Sequence, residues 1–182
     1  MPRVTPISGK ADVAAEHHGV VDAVLKVFGD IRGPYSILLH SPKIAERTLG
    51  LTTFFRDGTI VPDKERSLAI LAGVREREGA YVWAAQVAAA RRAGVSEATI
   101  DAIRARGDLA SLPAEERDII AYARELCSTN QVSQAAFDAL KNRYGVPWLV
   151  ELTVAANYYA MLCGVVNAFQ VEPPADGDRL PG

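Results

Sequence analysis

The sequence is short of cysteine and of net charge, and each shortage argues against a class of protein. Its 182 residues include two cysteines, Cys127 and Cys163, which do not form a CxxC pair. A disulfide-rich scaffold, a zinc ribbon and a dithiol redox motif are therefore disfavoured. The 20 basic and 22 acidic residues give a formal net charge of −2, which argues against the basic face of a nucleic-acid-binding protein.

Signals for several other chemistries are also missing. The chain contains no GxGxxG, GxxxxGKS/T or HExxH motif, so neither a nucleotide cofactor nor a metal ion is predicted. The first ten residues hold no apolar run, and we expect a cytoplasmic protein without a secretory signal. Residues 152–171 carry no charge, but their amides and tyrosines indicate a helix buried in the protein or in a subunit interface rather than a membrane span.

What the sequence does contain is helical spacing along most of its length. Apolar residues recur at helical intervals, and no alternating strand pattern competes with them. Ser41, Ser96 and Ser133 each precede such a segment and are predicted N-caps. We therefore predict an all-α bundle of about eight helices in a single domain, residues 1–182. Residues 1–10 and 173–182 are expected to be extended tails.

Three stretches of the sequence resemble one known family. They are LLHSPKIAERTLGL from Leu38, RSLAILAGVREREGAYVWAAQVAAARRAGVS from Arg66, and LVELTVAANYYAMLCGVVNAF from Leu149. In their order and spacing they are similar to the carboxymuconolactone decarboxylase family, which includes alkyl hydroperoxidase D. The resemblance implies an all-α fold that assembles as a homo-oligomer, a trimer or a hexamer.

The resemblance also points to a proton relay whose residues this sequence lacks. In the peroxidase branch of the family, the relay consists of a glutamate, a CxxC pair and a histidine. Alignment places these groups at four positions of this chain: Ser67, Gly79, Val82 and Gln86. Because thiol peroxidase chemistry needs a thiolate and a resolving partner, that activity is not expected here. The non-cysteine branch carries a Tyr-Glu-Trp-x-x-His string, in which Val82 and Gln86 again replace the glutamate and the histidine.

Few residues remain for acid–base catalysis. His40 matches the family's HSP motif and lies just before a predicted helix, so we predict that it is the catalytic acid or base. The alternative is that His40 hydrogen-bonds a loop backbone. Tyr81 and Gln86 are predicted to complete the catalytic group by orienting the substrate through hydrogen bonds.

Other polar side chains are candidates for substrate binding. Arg75 matches an arginine common in the family and is predicted to clamp a carboxylate, unless it forms a salt bridge with Glu78 or Glu151. Tyr159, Cys163 and Asn167 recur every four residues on the last predicted helix and share one of its faces. The predicted substrate-binding residues besides Arg75 are Ser67, Trp83, Tyr159, Cys163 and Asn167.

These residues predict a cofactor-free, lyase-type enzyme that acts on a small oxygenated or carboxylated organic molecule. Decarboxylation, dehydration and related eliminations develop an enolate or carbanion that fixed hydrogen-bond donors stabilise. The alternative is a non-catalytic, oligomeric relative that binds a small molecule and has lost the proton relay. The expected partners are that small molecule and further copies of the chain, without nucleic acid or membrane.

Overall fold

The computed structural model describes residues 1–181, and within that range it confirms the predicted all-α fold. The regular structure there consists of nine α-helices and two short 3-10 helices, Lys10–Asp12 and Ala15–His17, without a β-strand. The α-helices are α1 (His18–Phe28), α2 (Pro34–Leu38), α3 (Pro42–Asp57), α4 (Asp63–Glu76), α5 (Ala80–Arg92), α6 (Glu97–Arg104), α7 (Ala114–Thr129), α8 (Gln134–Tyr144) and α9 (Val146–Ala168). The prediction of about eight helices did not include α2.

Two helix starts follow directly from the local sequence. Ser96 precedes α6, and its Oγ accepts a hydrogen bond from the backbone N–H of Thr99 at 3.1 Å. Ser133 caps α8 in the same way and accepts from the N–H of Ala136 at 3.3 Å. Each cap satisfies an N–H group that has no partner inside its own helix. These two predicted caps are confirmed.

The third predicted cap, Ser41, is confirmed in its position but not in its side-chain hydrogen bond. Ser41 does precede α3, but its side chain makes no capping hydrogen bond. Pro42 brings no N–H group to the first helical position, and the N–H of Ile44 bonds to the backbone carbonyl of Ser41 at 2.9 Å. Proline geometry and a backbone hydrogen bond therefore begin this helix in place of the serine hydroxyl.

The chain divides into two compact units. The first contains residues 1–59 and 165–172, which form α1, α2, α3 and the end of α9. The second contains residues 60–164 and the C-terminal segment from Pro173, with α4 to α8 and most of α9. The candidate residues are distributed between them, because His40 and Asn167 belong to the first unit and the others belong to the second.

The first unit is built from three amphipathic helices. Val21 and Val24, three residues apart on α1, are fully buried. Tyr35 on α2 is buried as well, and its hydroxyl shares a hydrogen bond with the Thr52 hydroxyl of α3 at 2.7 Å. A buried hydroxyl needs such a partner, so this bond fixes α2 against α3.

Residues 1–10 were expected to be an extended tail, and they contain no α-helix, but they are packed against the first unit. Ile7 is buried, and its backbone N–H donates to the carbonyl of Ser36 at 2.8 Å. The N–H of Arg3 donates to the carbonyl of Phe169 at 2.9 Å. These bonds hold the segment along much of its length.

The centre of the second unit is α4, which packs against α5, α6 and α7. Every residue from Leu68 to Arg75 is buried, so this part of α4 has no solvent-facing side. A helix that is apolar on all sides is stable in water only when neighbouring helices surround it. The position of α4 therefore fixes where its neighbours lie.

A buried carboxylate joins three helices of the second unit. Glu116 on α7 accepts a hydrogen bond from the Thr99 hydroxyl of α6 and pairs with the Lys64 ammonium of α4, both at 2.7 Å. Burial raises the pKa of Glu116, but the bonds to Lys64 and Thr99 outweigh it and hold that pKa below its usual value. The ionised carboxylate therefore stabilises the fold above its ordinary pKa, and this stabilisation is lost as the pH falls.

The long helix α9 has both a buried and an exposed apolar side. By length and composition alone α9 could cross a membrane, and half of its most apolar 18-residue window is buried inside the protein. Its exposed side carries a row of apolar residues at helical spacing, which we call the α9 stripe: Val146, Val150, Val154 and Met161.

Candidate functional site

A tight turn ends α4 and places the first residue of α5. The N–H of Gly79 donates to the carbonyl of Val74 at 3.1 Å, and this bond closes the turn. Glu78 lies between them with φ 49°, in the left-handed region that is unfavourable for a residue with a side chain. Its carboxylate offsets that cost by pairing with the guanidinium groups of Arg75 and Arg106, each at 2.7 Å.

Gly79, which stands at a cysteine position of the relay, has no room for a side chain. An ideal Cβ on Gly79 would overlap Sγ of Cys163 and lie 2.9 Å from its Cβ. The same arrangement occurs on α4, where a Cβ on Gly73 would lie 2.8 Å from Sγ of Cys127. Each cysteine therefore fills the space that a glycine leaves open. The thiol of Cys163 occupies the volume beside the start of α5.

Both thiols are poor nucleophiles in this environment. Cys127 and Cys163 are almost completely buried. Burial, followed by repulsion from Cys127, raises the pKa of Cys163 to about 12. Burial also raises the pKa of Cys127. Because the thiolate is the reactive form, neither residue offers one near neutral pH.

The remaining relay positions on α5 carry uncharged side chains. Val82 is buried, and Gln86 is half-buried four residues further along, so both lie on the same helix face as Gly79. Tyr159 precedes Cys163 by one turn of α9 and shares its face. We call the group Gly79, Val82, Gln86, Tyr159 and Cys163 the α5–α9 site.

Tyr159 is a neutral hydrogen-bond donor in this site. Its ring meets that of Tyr158 edge-on, with centroids 5.3 Å apart. Burial, followed by the effect of Tyr158, raises the pKa of Tyr159 to about 12, although the charge of Arg66 acts in the opposite direction. The hydroxyl therefore keeps its proton at physiological pH and can donate it in a hydrogen bond.

Arg75 is held by two groups of the protein itself. It is buried; its Nε donates to the carbonyl of Arg104 at 2.6 Å, and one of its terminal nitrogens pairs with Glu78 at 2.7 Å. The alternative of a salt bridge with Glu78 is thus confirmed. The Arg104 carbonyl lies at the end of α6 and has no hydrogen-bond partner within that helix. Arg75 supplies this partner and therefore caps α6.

The indole of Trp83 is bonded to another part of the chain. This side chain is completely buried, and the indole N–H donates to the carboxylate of Asp178 at 3.3 Å. No sequence pattern connects these two residues, because Asp178 lies in a segment without periodic spacing. Residues 173–181 therefore pack against the second unit.

The other predicted residues differ in how they are placed. His40 is exposed, and its Nε2 bonds to the backbone carbonyl of Thr5 at 3.0 Å, which confirms the alternative of a bond to a loop backbone. Asn167 is exposed near the end of α9, whereas Cys163 one turn earlier is buried. Ser67 on α4 and Tyr81 on α5 are half-buried in the second unit.

Comparison with known proteins agrees with this architecture. Residues 45–125 match the model of the carboxymuconolactone decarboxylase family. A crystal structure of a variant of the debrominase Bmp8 in complex with 2,3,4-tribromopyrrole is similar, with a TM-score of 0.75 and 16% identity over 96% of this chain and 94% of that one. So is a structure described as an alkylhydroperoxidase AhpD core, an uncharacterised peroxidase-related protein from Ralstonia eutropha JMP134. Its TM-score is 0.73, with 16% identity over 95% of each chain. No curated protein matches the sequence.

The fold is therefore of the alkyl hydroperoxidase D type. The family match and the two structures confirm the resemblance seen in the sequence. The carboxymuconolactone decarboxylase match covers residues 45–125, and the two similar structures show the alkyl hydroperoxidase D-like fold.

The contact between Gly79 and Cys163 can be tested by adding a methyl group at Gly79 and then removing the sulfur atom of Cys163. We expect Gly79→Ala to lower the free energy of unfolding by about 1–3 kcal/mol, because the new methyl group overlaps Sγ of Cys163. Adding Cys163→Ala should restore part of that loss. Gly164→Ala is the control, since a Cβ at Gly164 meets no atom within 4 Å. Urea denaturation measures these proteins together with Cys163→Ala alone, and strictly additive effects of the substitutions at positions 79 and 163 would contradict the contact.

The raised pKa of the thiols predicts slow chemical modification. At pH 8 we expect the native protein to react with a thiol-specific disulfide reagent far more slowly than the urea-unfolded chain, which should react at both Cys127 and Cys163. The pKa of Cys163 rises from 9.0 unfolded to about 12 folded, so its stabilising contribution is complete below pH 9 and declines above it. Rapid labelling of the native protein would show that a thiolate is present.

Proposed function

We propose that this protein binds a small oxygenated organic molecule at the α5–α9 site through uncharged hydrogen-bonding groups. The observation that supports this most directly is the replacement of the relay. Cys163 and Tyr159, a thiol and a phenol that both have a pKa of about 12, share one face of α9, and Cys163 adjoins Gly79 at the start of α5. Because the volume around Cys163 is already filled, a ligand would contact the half-buried hydroxyl of Tyr159 and amide of Gln86, which can donate and accept hydrogen bonds without carrying a charge.

Such a site favours a ligand with carbonyl, hydroxyl or lactone oxygens over a highly charged one. Buried neutral donors bind a ligand oxygen with little desolvation cost, whereas a charged ligand group needs a fixed counter-charge. Arg75, the group predicted to supply that charge, is occupied by Glu78 and the Arg104 carbonyl. The family's association with small-molecule chemistry supports the same class of ligand.

A second candidate function is the cofactor-free lyase chemistry suggested by the family. The observation that favours it is the protonated hydroxyl of Tyr159, because a phenol held neutral in a dry site stabilises a developing enolate oxygen. The acid or base that the sequence proposes for such chemistry, His40, belongs to the first unit. Since the Thr5 carbonyl can only accept, Nε2 of His40 donates to it and leaves Nδ1 as the ring atom for proton exchange.

Ligand binding should depend on Tyr159. We expect members of a panel of lactones, hydroxy acids and phenols to raise the melting temperature of the protein. Tyr159→Phe should weaken their binding about tenfold, the cost of one lost hydrogen bond in a buried site. Tyr144→Phe is the matched control, because its ring stacks on Trp148 and keeps that contact without the hydroxyl.

The same panel separates the two candidate functions. Chromatography shows whether the protein converts a bound compound into a product. Binding without conversion supports the binding function. Conversion that is lost in His40→Ala supports the lyase function. Equal binding to the native protein, Tyr159→Phe and Gln86→Leu would show that the α5–α9 site is not where these ligands bind.

We further propose that the protein is a homo-oligomer and that the α9 stripe packs against a second copy of the chain. Val150 and Val154 are exposed by 54% and 42%, and the stripe contains no charged residue that would repel its own copy. Val150→Asp should therefore reduce the mass measured by light scattering after gel filtration. Lys141→Asp, a charge change on the neighbouring helix α8, is the control. A native protein that is already monomeric would contradict the proposal.

A further inference from the structure

The carboxylate of Asp178 is held by three donors from two helices. Its Oδ1 accepts from Arg104 at 2.8 Å and from the indole N–H of Trp83 at 3.3 Å, and its Oδ2 accepts from Arg91 at 2.9 Å. Both oxygens are thus engaged by groups of α5 and α6. Hydrogen bonds between guanidinium and carboxylate are among the strongest in proteins.

These donors are directed at Asp178 even though each arginine has a second acidic partner. Arg91 also pairs with Glu97 at 2.6 Å, and Arg104 also pairs with Asp101. The indole N–H of Trp83 is completely buried, and a buried donor requires an acceptor. The Arg104 guanidinium lies over the Trp83 ring, 5.7 Å from its centroid. The two helices therefore form a preorganised receptor for one carboxylate.

The group that fills this receptor belongs to an irregular segment. Residues 173–181 contain no helix, and their hydrogen bonds to α5 and α6 converge on the side chain of Asp178. Gly177 lets the segment approach closely, because a Cβ there would lie 2.8 Å from the Cβ of Ala84. The site is open to solutes at one side, where the Arg91 side chain is 43% exposed.

We propose that Arg91, Arg104 and Trp83 form a binding site for small organic carboxylates, and that Asp178 is its resident intramolecular ligand. An organic acid that enters the site replaces the carboxylate of Asp178 atom for atom and releases the C-terminal segment from α5. This site does not include any residue of the α5–α9 site. It gives a role to the buried indole N–H of Trp83 and to the guanidinium groups of Arg91 and Arg104, which the proposed function does not use.

The test uses the full chain with benzoate as the probe and benzamide as its uncharged counterpart, at matched ionic strength. Trypsin cleavage after Arg179 reports release of the segment, since a protease binds several residues on both sides of the bond and a docked Asp178 blocks it. We expect benzoate, but not benzamide, to accelerate this cleavage severalfold. Asp178→Ala should be cleaved rapidly without any ligand.

Thermal stability provides the second measurement. Benzoate should raise the melting temperature of Asp178→Ala more than that of the native protein, because the site is then vacant. Asp176→Ala, a change in the same segment at an exposed carboxylate, should behave like the native protein. Adding Arg104→Gln to Asp178→Ala should weaken benzoate binding about tenfold.

Two results would overturn the proposal. If benzoate raises the melting temperature of the native protein, of Asp178→Ala and of the Asp178→Ala/Arg104→Gln variant equally, its effect is not located at this site. If benzoate stabilises Asp178→Ala but leaves the cleavage of the native protein unchanged, Asp178 is a fixed structural tie that external carboxylates do not displace.

Discussion

The close approach of α4 to α7 and α9 is the constraint on which the second unit depends. It requires a residue without a side chain at Gly73, where a Cβ would lie 2.8 Å from Sγ of Cys127 and 3.5 Å from the carbonyl of Ala156. Interiors packed this tightly leave no room for an additional methyl group. The same geometry recurs at Gly79, so the sulfur atoms of both cysteines are enclosed by apolar atoms and backbone.

Because the interior around α4 admits no unpaired charge, charged groups collect at the helix ends. Arginine side chains satisfy the carbonyl groups there: Arg106 donates to Arg75 at 2.9 Å, and Arg124 donates to Ala102 and Gly107, each at 3.0 Å. A guanidinium beside the negative end of a helix stabilises it and also fills the space with its stem. This arrangement explains why an arginine that resembles a substrate clamp in the sequence acts as a cap.

The parts of this structure that the sequence predicted are those governed by local chemistry. The caps at Ser96 and Ser133 and the all-α fold depend on residues within one turn or on spacing along a single helix. The environments of Arg75 and Trp83 could not be predicted in this way. Their partners, the Arg104 carbonyl and Asp178, come from distant parts of the chain, and no periodicity connects them. The family resemblance identified where the relay would be, but not that Cys163 fills the volume beside Gly79.

The contact between Gly79 and Cys163 has a consequence for how related sequences can diverge. The two positions share the volume of a single side chain, although one lies at the start of α5 and the other on α9. A relative with a cysteine at the position of Gly79 must therefore have a smaller residue, or a shifted helix, at the position of Cys163. Moving the thiol from one helix to the other preserves the packing of the core while removing sulfur from the helix start, where a thiolate would be stabilised. The residues at these two positions should therefore vary together among related sequences. Their identities indicate whether a relative has kept the thiol at the start of α5.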